Sequence, residues 1–185
     1  MNAETLLDRV KRGERLTERE VNFVRSALAD ERTQEDKYTL IHVLWKVYDA
    51  RSRALIWPHA ADPDEMVRRI ALQALTELAP SDEVFNLALR MAEDSSKYVR
   101  MVAATAIGTL GALLPRRAAE AARFLLENFE LRHSAADSEW ESYYEGLLDL
   151  VKMPRDKRPL ATRDLRSADI QPEVIAVARS LAAHS

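Results

Sequence analysis

The sequence predicts an all-α fold, a solenoid of stacked helical hairpins, on three observations. Aspartates recur at a fixed step, with Asp30, Asp62 and Asp94 standing 32 residues apart. Each follows the same apolar frame at i, i+1, i+4 and i+5: Phe23-Val24 and Ala27-Leu28, Leu55-Ile56 and His59-Ala60, Leu87-Ala88 and Met91-Ala92. At 3.6 residues per turn that spacing gathers four side chains on one stripe of a helix, which must pack on something. Composition agrees: four glycines and 6% aromatics in 185 residues supply few hairpin turns, while abundant alanine favours helix.

The elements follow in order. Residues 1–16 form an N-terminal cap, with Gly13 as a helix stop. Thr17-Glu18-Arg19-Glu20 is a capping box, stapled by Leu16 and Val21, and opens a first hairpin over 17–50. A second hairpin covers 52–79. Pro58 ends or kinks its first short helix, and Asp62 caps its second, with Pro63 in the first turn and Glu65 completing the box. Ser81 and Ser96 start the helices of a third hairpin, 82–113, and Pro115 starts a fourth, 116–151. Residues 152–185 hold a basic loop and a closing helix that Pro172 opens. All are drawn as one domain of about ten helices.

After the second and third aspartates the match tightens. Val67-Arg68, Ala71, Ala74-Leu75 and Leu78 stand against Val99-Arg100, Ala103, Ala106-Ile107 and Leu110. Together with Asp62-Pro63-Asp64-Glu65-Met66, this pattern resembles the signature of HEAT repeats. The first unit departs from it, with Glu35 and Asp36 in place of valine and arginine, and two inserted residues would let Ile41, Leu44 and Trp45 face inward. A fourth unit, anchored on Asp137, keeps Gly146, Leu147 and Leu150 but lacks the valine–arginine pair. The resemblance implies a right-handed α-solenoid of about four hairpins with terminal caps. It also implies that the valine–arginine helices line a concave surface, and that Asp62, Arg68, Asp94 and Arg100 are structural ties between repeats.

Two segments break the pattern. From Glu127 to Asp149 seven carboxylates face Arg132 alone, interleaved with Phe129, Trp140, Tyr143 and Tyr144. Such a mixture either offers a docking surface for a basic protein or divides into a core and a solvated acidic face. From Lys152 to Arg166 six cations stand against Asp156 and Asp164, with Pro154 and Pro159 barring a continuous helix, and this loop is expected to lie back against the acidic stretch.

Catalytic signals are thin. His42, His59, His133 and His184 lie in separate segments without metal-ligand spacing, and the absence of cysteine removes thiolate chemistry. HEAT-like iron hydroxylases rely on His-Glu dipeptides, which this chain lacks. Gly108 and Gly111 lie inside a repeat helix, where they serve close packing and not a phosphate loop. Glu35, Asp36, His42 and Trp45 could form an acid–base cleft, but acids at a helix start are ordinary dipole partners. No catalysis, metal or cofactor is expected. A net charge of −3 gives no basic footprint for nucleic acid, no apolar run is long enough for a membrane, Met1-Asn2-Ala3-Glu4 leads into a charged amphipathic stretch unlike a signal peptide, and the lack of cysteine fits a cytoplasmic protein.

The expected function is therefore a protein-binding scaffold or adaptor, of which a bacterial toxin-neutralising immunity protein is one form. Its groove would be lined by Arg69, Gln73, Thr76, Met101 and Thr105, the positions turned away from the buried stripe. Glu139, Trp140, Glu141, Tyr143 and Tyr144 would offer a second, acidic and aromatic contact. The alternative is a nucleic-acid binding or repair protein resembling HEAT-like alkylpurine DNA glycosylases. Phycobilisome lyase-type HEAT proteins provide a further precedent, although no residue selects it.

Overall fold

The computed structural model describes residues 2–30, 36–154 and 169–183. Its contacts gather in two units, Met1–Ala79 and Pro80–Ser185, where the sequence reading drew one domain. The division falls between the second and third hairpins of the sequence. Among the described residues the secondary structure is helical throughout.

The first unit holds α1 (Ala3–Lys11), α2 (Glu18–Ala29), α3 (Lys37–Lys46), the short α4 (Arg53–Ile56) and α5 (Glu65–Leu78). Helix α2 packs on α3, α4 and the 3-10 turn Trp57–Ala61 pack on α5, and α3 lies between α1 and α5. Leu6, Leu40, Leu44, Ile56, Ile70 and Leu75 fill the core. Helix α2 starts as expected: Thr17 accepts from the Glu20 N–H and Glu20 returns the bond to the Thr17 N–H. Pro58 falls in the 3-10 turn that ends α4. The cap of α5 corrects the sequence reading by two residues. Asp64 is the N-cap, accepting from the Met66 N–H at 2.7 Å. Asp62 instead accepts from the Asp64 N–H at 3.0 Å and from Lys37 Nζ at 2.9 Å. Burial opposes its charge, but Lys37 and that N–H hold the Asp62 carboxyl below the usual range.

The second unit holds α6 (Asp82–Met91), α7 (Lys97–Leu113), α8 (Ala118–Ser134), α9 (Trp140–Leu150) and α10 (Pro172–Ala183). Helices α6 and α8 are each paired with the helix that follows, α7 lies along α9, and α10 covers α8. Ser81 caps α6 as predicted. Ser96 stands at the N-cap of α7 without a side-chain bond to the helix, and Pro115 opens a 3-10 turn before α8. Gly108 and Gly146 put α7 and α9 in backbone contact: a Cβ on Gly108 would lie 2.0 Å from the Gly146 carbonyl oxygen. The close-packing role read for the helix glycines is thus present.

The repeat aspartate has one local job in three places. Asp62, Asp94 and Asp137 each accept the N–H two residues on, from Asp64, Ser96 and Glu139 at 3.0, 2.8 and 3.0 Å. This side-chain turn sets the chain up for the helix that follows. The repeat arginine closes the same turn. Arg68 Nη1 donates to the carbonyls of Asp62 and Pro63, and Arg100 Nη1 to those of Asp94 and Ser95. Asp137 therefore anchors a genuine fourth hairpin, although no arginine follows it at the repeat position.

Candidate functional site

A helix packed on two or three sides keeps only a narrow stripe for solvent, and the second helix of each hairpin shows it. Helix α5 buries Ile70, Ala71, Leu72, Ala74, Leu75 and Thr76, leaving Arg69 and Gln73 half-buried and Glu77 exposed. Helix α7 repeats the pattern 32 residues on, with Met101, Thr105 and Thr109 half-buried, and α9 repeats it after a further 40, with Glu141, Glu145 and Asp149. Each stripe runs i, i+4, i+8.

Of the five predicted groove residues, Arg69 and Gln73 lie on the α5 stripe and Met101 and Thr105 on that of α7. Thr76 does not. It is 5% exposed and its hydroxyl donates to the Leu72 carbonyl at 2.8 Å. It sits at the position that Gly108 fills in α7, where the helix flank meets a neighbour and not solvent. Glu77, Thr109, Glu145 and Asp149 complete the stripes; extending the same i+4 step by one turn would have found them.

Helix α3 corrects the reading of the first repeat. Its buried residues Thr39, Leu40, Ile41, Val43 and Leu44 match 70, 71, 72, 74 and 75 of α5 at an offset of 31, so one residue is inserted and not two. Ile41 and Leu44 face inward as expected, while Trp45 turns to the edge of the stripe, half-buried, and its Nε1 donates to Glu77 Oε2 at 2.9 Å. Tyr38 and His42 then occupy the positions of Arg69 and Gln73. The three rings form a row: Tyr38 meets His42 edge-on at 5.6 Å, and His42 stacks on Trp45 at 5.5 Å. Lys46 lies over the Trp45 ring at 4.2 Å. The rings fix the conformation of His42; Asp36 caps α3 by accepting from the Thr39 N–H, and Glu35 lies outside the described residues.

Burial, with Lys46 and Lys11 nearby, lowers the pKa of His42 from its ordinary 6.5. Because the folded state resists the proton that the unfolded chain accepts, stability is present above about pH 6.5 and falls below it. The drop in melting temperature between about pH 7.5 and about pH 5.5 should be smaller for His42→Gln than for the wild type. Equal drops would contradict the assignment.

The acidic and aromatic stretch is mostly core, which corrects its reading as a docking surface. Tyr143 and Tyr144 are fully buried, Trp140 is 8% exposed and Glu139 6%. The aromatic residues fall on the flank of α9 that faces α8, where Trp140 and Tyr144 meet Phe129 at 6.1 and 5.8 Å. Burial raises the pKa of both tyrosines. The Tyr144 hydroxyl accepts the Gln171 N–H at 2.8 Å and so holds the start of α10. Only Glu141 of that predicted set lies on the stripe. Glu139 occupies the place that Val99 takes in α7, and its buried carboxylate is satisfied by both arms of Arg100, Nε at 3.0 Å and Nη2, with Arg132 at 3.8 Å. The ties between hairpins thus run through Lys37 to Asp62 and Arg100 to Glu139. Of the basic loop, Lys152 is exposed, and Arg155 to Arg166 lie outside the described residues, as does His184.

Among the described residues no group of His, Asp and Glu could hold a metal ion, and no helix is long and apolar enough to cross a membrane. A comparison with protein families matches the chain to HEAT repeats over residues 21–108 and again over 52–138. Searches of curated proteins and of solved structures find no match. With turn, clamp and stripe recurring from hairpin to hairpin and the match spanning more than half of its length, the chain belongs to the HEAT-repeat family.

Proposed function

We propose that the chain is a non-catalytic protein-binding scaffold, an adaptor whose two units each present exposed helix stripes for protein binding, α3 and α5 in the first and α7 and α9 in the second. The observation that carries this reading is the stripes themselves. On helices otherwise buried, they present Tyr38, His42 and Arg69 on one unit and Met101, Glu141 and Glu145 on the other. Tyrosine, arginine and methionine are enriched where proteins bind each other. The carboxylates of α9 favour a basic partner, as a cytoplasmic bacterial immunity protein would need for a basic toxin. Lys46 and Arg69 are the only Lys or Arg among the stripe positions, too few to track a phosphate backbone.

Affinity capture from the source cell tests the proposal. A partner held by the wild type should be lost, by about tenfold or more, with Tyr38→Ala combined with Arg69→Glu, and kept with Arg90→Glu on the exposed side of α6. Recovery of the same partners by all three proteins would overturn it.

A further inference from the structure

Beside the end of the α3 stripe, with which it shares Lys46, the first unit contains an open cleft of about 680 Å³. It lies between the α1–α2 turn, the start of α2, and the end of α3 with the turn that follows. Its size is that of a ligand cleft, roughly 300–1,000 Å³. Val10, Leu16, Val21 and Val47 give it an apolar lining, and Tyr48 stands among its lining residues, 71% exposed. We infer that this cleft is a second docking site, for a short acidic peptide segment of a protein partner.

Two features point to that occupant. The first is Tyr48 itself. Helix α3 ends as α1 does, with the N–H of the left-handed residue bonded three residues back and the next N–H five back: Tyr48 to Trp45 and Asp49 to Leu44, Gly13 to Val10 and Glu14 to Arg9. Glycine suits that position, and α1 has it, with φ +82° at Gly13; α3 puts tyrosine there at φ +54°. Ala136 after α8 and Lys152 after α9 take the same left-handed place at φ +54° and +55°, so what sets Tyr48 apart is its large ring, left solvated beside the apolar lining.

The second feature is charge. The cleft's carboxylates are engaged by arginines: Glu14 with Arg9 and Arg12, Glu18 with Arg25 and Arg51, Asp49 with Arg25 and Arg51. Arg15 and Lys46 line the same cleft with no carboxylate at ion-pair distance among the described residues. Lys46, the last residue of α3, also suits the negative end of that helix, but Arg15 lies in a turn and has no such role. An apolar residue seated on the valines and Leu16, against the Tyr48 ring, would bring flanking carboxylates to Arg15 and Lys46.

Fluorescence anisotropy with a short labelled peptide of alternating Glu and Leu tests this, with a Lys–Leu peptide and a single-stranded oligonucleotide as counter-probes. The acidic peptide should bind saturably, and Arg15→Glu with Lys46→Glu should weaken it about tenfold or more. Arg69→Glu on α5 should leave it unchanged, which separates this site from the stripes. Tyr48→Gly should raise the melting temperature yet weaken the peptide about threefold. No saturable binding, equal binding of either counter-probe, or full affinity in Tyr48→Gly or in a folded double variant would overturn the proposal.

Discussion

Replacing Gly108 with alanine is expected to cost about 3 kcal/mol or more, even after the roughly 1 kcal/mol that alanine gains in helix propensity. The added methyl would meet Gly146 backbone at 2.0, 2.6 and 2.7 Å, its oxygen, carbonyl carbon and Cα. Side chains can rotate away from such a clash and helix backbone cannot, so α7 and α9 must separate along their length. Contacts of Ile107, Leu147 and Tyr143 would loosen with them. Gly146→Ala, 2.6 Å from the Ala104 carbonyl oxygen, and Gly111→Ala, 2.6 Å from the Ala121 Cβ, which moves only with its helix, should each cost somewhat less. Urea denaturation measures all three. A Gly108→Ala protein within about 1 kcal/mol of the wild type would mean that α7 and α9 do not cross at these glycines.

Glu139→Ala should be comparably severe, at about 3–5 kcal/mol, because it leaves Arg100 and Arg132 half-buried with a shared counter-ion removed. Asp137 remains bonded to Arg132 at 2.8 Å, but nothing among the described contacts replaces the two-armed grip on Arg100. The repeat comparison supplies the control. Val99 takes the equivalent place in α7, so adding Glu139→Val to Arg100→Met, which already lacks the clamp on the Asp94 and Ser95 carbonyls, should cost less than Glu139→Ala does in the wild type, by about 2 kcal/mol or more. If the carboxylate change cost as much in the Arg100→Met background as in the wild type, the carboxylate would be serving something other than Arg100.

The features legible in the sequence were those with local causes. Thr17 and Ser81 cap helices because a hydroxyl at that position can reach the donors one turn on, and the 32-residue step shows because the aspartate turn needs the same residue each time. What the sequence hid depended on neighbours far along the chain. Trp140, Tyr143 and Tyr144 share a pattern with the acids around them, and only the presence of α8 and α10 on that flank makes them core. Thr76 stands opposite the most buried stripe on a helical wheel, yet a helix gripped from several sides has little outside left. The cap stands at Asp64 because Asp62 accepts the Asp64 N–H in a side-chain turn, as Asp94 and Asp137 do for the residues two on, and a run of Asp-Pro-Asp does not say which aspartate caps. Tyr38 and His42 were missed as stripe residues because the insertion before α3 is one residue long, and a single residue turns the helix by about 100 degrees.

Site-specific photo-crosslinking in the source cell tests the binding face most directly. A photoreactive residue placed at Thr105 or Glu145 should trap the same protein partner, while one at Asn86 on α6 or Arg123 on α8 should not. Crosslinks from Asn86 and Arg123 with none from the two stripe positions would put the partner on the other helices of that unit and contradict the account.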